Sequence, residues 1–134
     1  MGSKANYLEN AALDHFLAVA STPLPTTVYS ALFTVIPSDV TEGTEVTTTE
    51  DANYTRIATT FSTAGLTVTG QSVNSAAVNF TTVSAGATIS IVGWQLYDNP
   101  TAGNPLYWAT VATTTLEDGD QATFPASNIV ITED

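Results

Sequence analysis

Two hydrophobic periods run along this chain, and one replaces the other near residue 25. Over residues 6–20 the apolar positions Leu13, Phe16, Leu17 and Ala20 recur at helical spacing, with Asn10 and Asp14 on the other side. Asn6 stands where an N-cap belongs, and Glu9 follows three residues later, as in a capping box. Ser21-Thr22-Pro23-Leu24-Pro25 ends the pattern, because proline cannot continue a helix. The spacing therefore predicts one N-terminal helix over 6–20, lying on a sheet by the Leu13, Phe16 and Leu17 stripe.

From Thr26 onward the period is two. Val28 to Ile36 is β-branched, aromatic and apolar on both faces, which predicts a central strand. Residues 38–53 are polar and acidic, a surface loop with a short strand near Thr44–Thr48. Strands are predicted over Tyr54–Phe61, Leu66–Thr69, Ala77–Phe80, Ala87–Tyr97, Leu106–Ala112, Gln121–Phe124 and Ile129–Thr132. Gly93 marks a bulge in the longest of them. The turn formers from Asp98 to Pro105 make residues 87–112 one hairpin, and Asp118-Gly119-Asp120 is a second turn. About eight short strands with turns between them predict a mainly β fold: a single antiparallel β-sandwich or jelly-roll-like domain over 1–134, carrying one N-terminal α-helix.

Composition sharpens this picture. Thr is the commonest residue and charged residues are only 11% of the chain, so Thr fills the solvent-facing strand positions. A chain of 134 residues buries enough surface to fold without a metal or disulfide, and it has no Cys. Thirteen acids stand against Lys4 and Arg56, for a net charge of −11. Two cations cannot displace the counterions of a nucleic acid, and the same charge argues against an anionic membrane surface. No apolar run reaches membrane-spanning length. At the N-terminus Glu9, Asn10, Asp14 and His15 interrupt any apolar core of a signal peptide.

Catalytic chemistry finds few candidates. His15 is the sole histidine, beside Asp14, with no Ser or Cys nucleophile in a recognisable setting. One His and no Cys do not make a zinc site. Glu117, Asp118 and Asp120 carry carboxylates suited to calcium, but their spacing is far short of an EF-hand loop and reads as an acidic turn. The expectation is no catalytic residue, no metal and no cofactor. Trp94, Tyr97, Tyr107 and Trp108 cluster on the 87–112 hairpin. Such aromatics either build the core or, if exposed, stack on sugar rings; Trp94, Tyr97 and Trp108 are the candidate glycan contacts. Tyr7, Leu8 and Ala11 fall partly off the helix stripe. A helix apolar over more than one face either has a second surface to bury, which makes these three the candidate partner contacts, or carries a wide stripe by which the whole helix docks on its own sandwich.

Several segments together resemble a family of short tailed-phage virion proteins, usually labelled tail-fibre proteins. They are KANYLENAALDHFL, then TTVYSALFTVIPSD followed by GTEV, then YTR, the hairpin GWQLYDNPTAGNPLYWA and the closing IVITED. They keep the family's order and cover most of the chain, with residues 62–86 matching least. The resemblance implies a structural protein on the particle exterior, assembled in the host cytoplasm, whose partners are the major capsid protein or other virion proteins and copies of itself, a trimer foremost. Small size, with no shaft repeat or coiled coil, leads to the expectation of a capsid decoration or cement protein. The alternative is a tail-fibre or tail-tip component binding host-surface glycans.

Overall fold

A computed structural model describes residues 3–21, 23–38 and 40–133. The order of elements is β1 (Ser3–Lys4), α1 (Asn6–Phe16), β2 (Val28–Val35), β3 (Thr44–Glu45), β4 (Ile57–Thr59), β5 (Gln71–Val73), β6 (Val78–Asn79), β7 (Ile89–Tyr97), β8 (Pro105–Leu116), β9 (Thr123–Phe124) and β10 (Val130–Thr132). Every pairing is antiparallel. The main sheet runs β1-β8-β7-β2-β3, with β4 also on β2, and two two-stranded sheets, β10-β5 and β6-β9, complete the sandwich. The fold is thus mainly β with one N-terminal helix, as the periodicity predicts.

The three long strands form where the alternation is cleanest. β2 and β7 pair from Tyr29↔Tyr97 to Phe33↔Gly93, and β7 and β8 make the expected hairpin. The ladder shifts register between Ile91 and Gly93, so the bulge falls where the glycine marks it. A side chain there would press the Pro37 ring at 3.0 Å and the Phe33 Cβ at 3.4 Å. Pro37 lies in the loop between β2 and β3, which folds back over this outer face of the sheet. Gly43 closes that loop with φ +70°; a Cβ at this position would sit 2.5 Å from the Val35 carbonyl oxygen.

On the inner face, Leu32, Ile91, Trp94, Leu96 and Leu106 pack against Val78, Phe80, Ile129 and Ile131 of the small sheets and their loops. The weakly patterned stretch departs from expectation. Residues 66–69 form turns rather than a strand, while β1 and β5 are strands that alternation did not mark. Both are two or three residues long and are held by partners distant in sequence, β1 by β8 and β5 by β10.

Both side-chain cations of the chain are engaged internally. Lys4 pairs with Glu133, which also accepts a hydrogen bond from the Tyr107 hydroxyl, so the two ends of the chain are clipped to β8. Arg56 forms a bidentate pair with Glu45, Nε to Oε1 at 2.9 Å and Nη2 to Oε2 at 2.7 Å. The same guanidinium lies 3.5 Å over the Tyr97 ring and donates through Nη1 to the carbonyls of Asn99 and Ala102, anchoring the β7–β8 loop. Burial and the charge of Glu45 push the Tyr97 hydroxyl up to about 12.

Two carboxylates make folding acid-sensitive. Burial works to raise Asp51, but the backbone N–H groups of Ser84 and Asn53, with the Ser84 hydroxyl, outweigh it and hold the group below the ordinary range. Burial likewise works to raise Glu133, and Lys4 and Tyr107 outweigh it. A depressed folded-state pKa contributes stability above the unfolded value and loses it as pH falls through the folded value. The melting temperature is therefore expected to fall as the pH drops below about 4, through the ordinary carboxylate range. Asp51→Asn should flatten the acid limb; an unchanged slope in that variant would remove Asp51 from the account.

Candidate functional site

The helix sets the geometry of the site. Ala5, not Asn6, is the N-cap, with extended backbone; its methyl offers no side-chain cap, and its N–H is taken by the Leu106 carbonyl at 2.8 Å. Pairing with β8 starts the helix here in place of the capping box. The helix ends at Phe16 rather than residue 20. Val19 N–H reaches the Asp14 carbonyl at 2.9 Å and Ala18 N–H reaches that of His15 at 3.3 Å, the paired bonds of a Schellman turn. Ala18 occupies the left-handed position with φ +57°, where glycine is the usual residue. Ala18→Gly is expected to raise stability by about 0.5–1 kcal/mol, seen as a melting temperature a few degrees higher. A lower melting temperature would mean that helix entropy, not the turn, decides.

The stripe predicted to face the sheet does not face it. Leu13, Phe16 and Leu17 are exposed, Phe16 by 85%. Tyr7 and Leu8 pack against the core instead. The helix is tethered at its N-terminal end and crosses the end of β8, so only its first turns lie over the sheet, and the strongest part of the stripe runs past the edge. Half of the large apolar side chains exposed among the described residues fall within residues 13–24: Leu13, Phe16, Leu17, Val19 and Leu24.

Between α1 and the segment Pro23-Leu24-Pro25 lies a groove of about 290 Å³, floored by Leu106 of β8. Leu8, Ala11, Ala12, His15 and Phe16 supply its helix wall at positions i, i+3, i+4, i+7 and i+8, and Tyr7 and Asp98 also line it. The three candidate partner contacts, Tyr7, Leu8 and Ala11, all line this groove, but Tyr7 and Leu8 are at the same time packed against the chain's own core. The structure adds Phe16 and Leu24, which sequence reading assigned to the core and to a terminating loop. The 79% exposure of Leu24 between two prolines is a signal that only the packed chain displays.

The candidate glycan contacts are not brought together. Trp94 is 3% and Tyr97 6% exposed, so neither ring offers a face to a sugar. Trp94 stands opposite Ala109 and faces the inner core, while Trp108 stands opposite Gln95 and is half-buried on the other face of the sheet. Alternation along β7 and β8 separates side chains that are neighbours in sequence. His15 is exposed, set edge-on to Phe16 with ring centroids 5.6 Å apart. Asp120 accepts the Glu117 N–H at 2.9 Å and so shapes its own turn. Among the described residues no three His or carboxylate groups converge as a metal site would require. No helix among them is long and apolar enough to cross a membrane.

The family model described as podophage GP4 fiber I protein gp80 matches residues 3–132. The chain belongs to this family. It is accordingly a structural protein of the phage virion kind, related to a fibre protein, and the sequence resemblance and the family agree. No curated protein matches the sequence. The family match runs through every element of the fold, from β1 and the helix to β10.

Proposed function

We propose that this chain is a component of a tail-fibre-type appendage on the exterior of a phage particle, held to its neighbours through the apolar end formed by α1 and residues 16–25. The observation that carries the reading is the match to a fibre protein along residues 3–132. That description favours a fibre over the capsid-decoration role expected from size alone. The charge of −11 supports an exterior position, away from packaged DNA. The exposed cluster at residues 13–24 supports attachment, since a protein does not leave several large apolar side chains together in water without a partner. Host-glycan recognition through Trp94 and Tyr97 is not part of the proposal, because both are core.

Quantitative mass spectrometry of purified virions, with immunogold labelling, tests it. A few to some tens of copies per particle, labelled at the tail, is the expected result. Hundreds of copies spread over the shell would replace the fibre with capsid decoration.

A further inference from the structure

We infer that a polar cavity on the outer face of the main sheet, separate from the apolar groove, binds a single uncharged sugar residue through Gln95, Asn6 and Glu42. The inference goes beyond the proposed function and rests on it only for where the sugar comes from.

The cavity encloses about 310 Å³ between the start of α1, the β2–β3 loop and the start of β8. That is the lower end of the roughly 300–1,000 Å³ of small-molecule sites, room for one pyranose ring. Gln95 of β7 forms its floor. It alternates with Trp94 and so faces away from the inner core. Its side chain is 2% exposed and lines the cavity. Oε1 accepts the Tyr97 hydroxyl at 3.1 Å, and among the described residues nothing accepts from Nε2. Turning the amide over only exchanges the two atoms, so one is left without a partner either way. The fully enclosed side-chain atoms without a partner are, among the described residues, Thr81 Oγ1 and Trp94 Nε1. Gln95 Nε2 is not one of them, so it opens into the cavity and is available to whatever fills it.

The wall decides what that is. Val40 and Thr41 N–H reach Ser38 Oγ at 3.3 and 3.1 Å, so Ser38 donates to Thr41 Oγ1 at 2.9 Å and the Thr41 hydroxyl proton remains to be donated. Asn104 commits Nδ2 to Asp98 at 2.8 Å and keeps Oδ1 as an acceptor. The Asn6 amide and the Glu42 carboxylate also line the cavity, and neither has a hydrogen-bond partner among the described residues. Donors and acceptors are therefore mixed around one small space. A sugar hydroxyl both donates and accepts, so a sugar answers the whole set. An anion would use the donors alone and meet Glu42 on a chain of charge −11. A cation would satisfy Glu42 and face the amide protons of Gln95. Tyr7 and Pro105 add apolar surface, against which the C–H face of a sugar ring packs.

The test uses the full chain and the methyl glycosides of glucose, galactose, mannose, rhamnose and N-acetylglucosamine, followed by saturation-transfer NMR and by the amide shifts of the labelled protein. At least one glycoside should bind with a Kd of about 1 mM. The shifts should centre on residues 5–7, 40–42, 95 and 104, and sodium acetate should not reproduce them. Asn6→Ala and Glu42→Ala, both at exposed positions, should each weaken binding by about 3–10-fold. Asp118→Ala removes an acid at the far end of β8 and should leave binding unchanged. Gln95→Leu should abolish binding and melt within a few degrees of the parent. If that variant does not fold, the two exposed ones still decide the matter. The inference is overturned if none of the glycosides binds, if both exposed variants bind as the parent does, or if acetate takes the site instead. Sugar binding by a chain found on the shell would sink the fibre reading and leave this site standing. A tail-borne chain that binds none of the glycosides would do the reverse.

Discussion

Trp94→Ala is expected to cost about 3–5 kcal/mol of folding stability, a large part of what a domain of this size has. The indole lies at the centre of the inner face, between Leu32 of β2 and Ala109 of β8 in the ladder, and its ring meets Phe124 at 6.5 Å and 58°. Truncation would open a cavity beneath both small sheets. The melting temperature should drop by about 10–20 °C in thermal denaturation. Trp94→Phe refines the prediction. Among the described residues the buried Nε1–H of Trp94 has no hydrogen-bond acceptor, so losing it removes a liability along with some volume. The phenylalanine variant should therefore lose only about 1–2 kcal/mol. A Trp94→Ala protein melting within a few degrees of the parent would show that the ring is not part of the core. It would also reopen its candidacy as a glycan contact.

The second large effect is expected at Asn74, which is fully buried and sits where three segments meet. Its Nδ2 donates to the carbonyls of Ala76 and Pro125, both at 2.8 Å, and its Oδ1 accepts the Ile129 N–H at 2.8 Å. Its own backbone pairs with Ile129 and Ser127. The side chain thus satisfies three backbone groups that no water replaces cheaply. Asn74→Ala leaves them unpaired and should cost about 2–4 kcal/mol. Asn74→Asp keeps the shape but sets a carboxylate, with no donor, against two carbonyl oxygens, so it should cost more than alanine at neutral pH. Burial and these carbonyls would raise the pKa of the new carboxyl in the folded state. Protonation then favours folding, and the deficit should shrink as pH falls towards about 5. Denaturant unfolding of both variants at two pH values measures this. A smaller cost for aspartate than for alanine at neutral pH would show that the donors of Asn74 are not what holds the loops.

These two residues mark how far the sequence can be read. Trp94 was legible as either core or ligand contact, because an aromatic on an alternating strand looks the same in both roles. Asn74 carried no signal, since an asparagine between short strands is an ordinary turn former until the chain closes around it. The Arg56, Glu45 and Tyr97 cluster was invisible for the same reason: its members come from three separate strands or their flanks and meet only when β2 brings β3 and β4 to one edge.

By itself the sequence determined the class of the fold and its strongest elements. The period-two runs of β2, β7 and β8, the glycine at the bulge and the prolines after the helix each act through local sterics and pleat, which need no distant partner to be read. It also determined the acidity of the chain, a net charge of −11. The tertiary structure decided which apolar stripe is covered and which is left exposed. Periodicity shows that Leu13, Phe16 and Leu17 share a face, but not whether anything lies opposite it. That depended on where Ala5 and β1 tether the helix to β8, and the tether carries the first turn onto the core and the last beyond it.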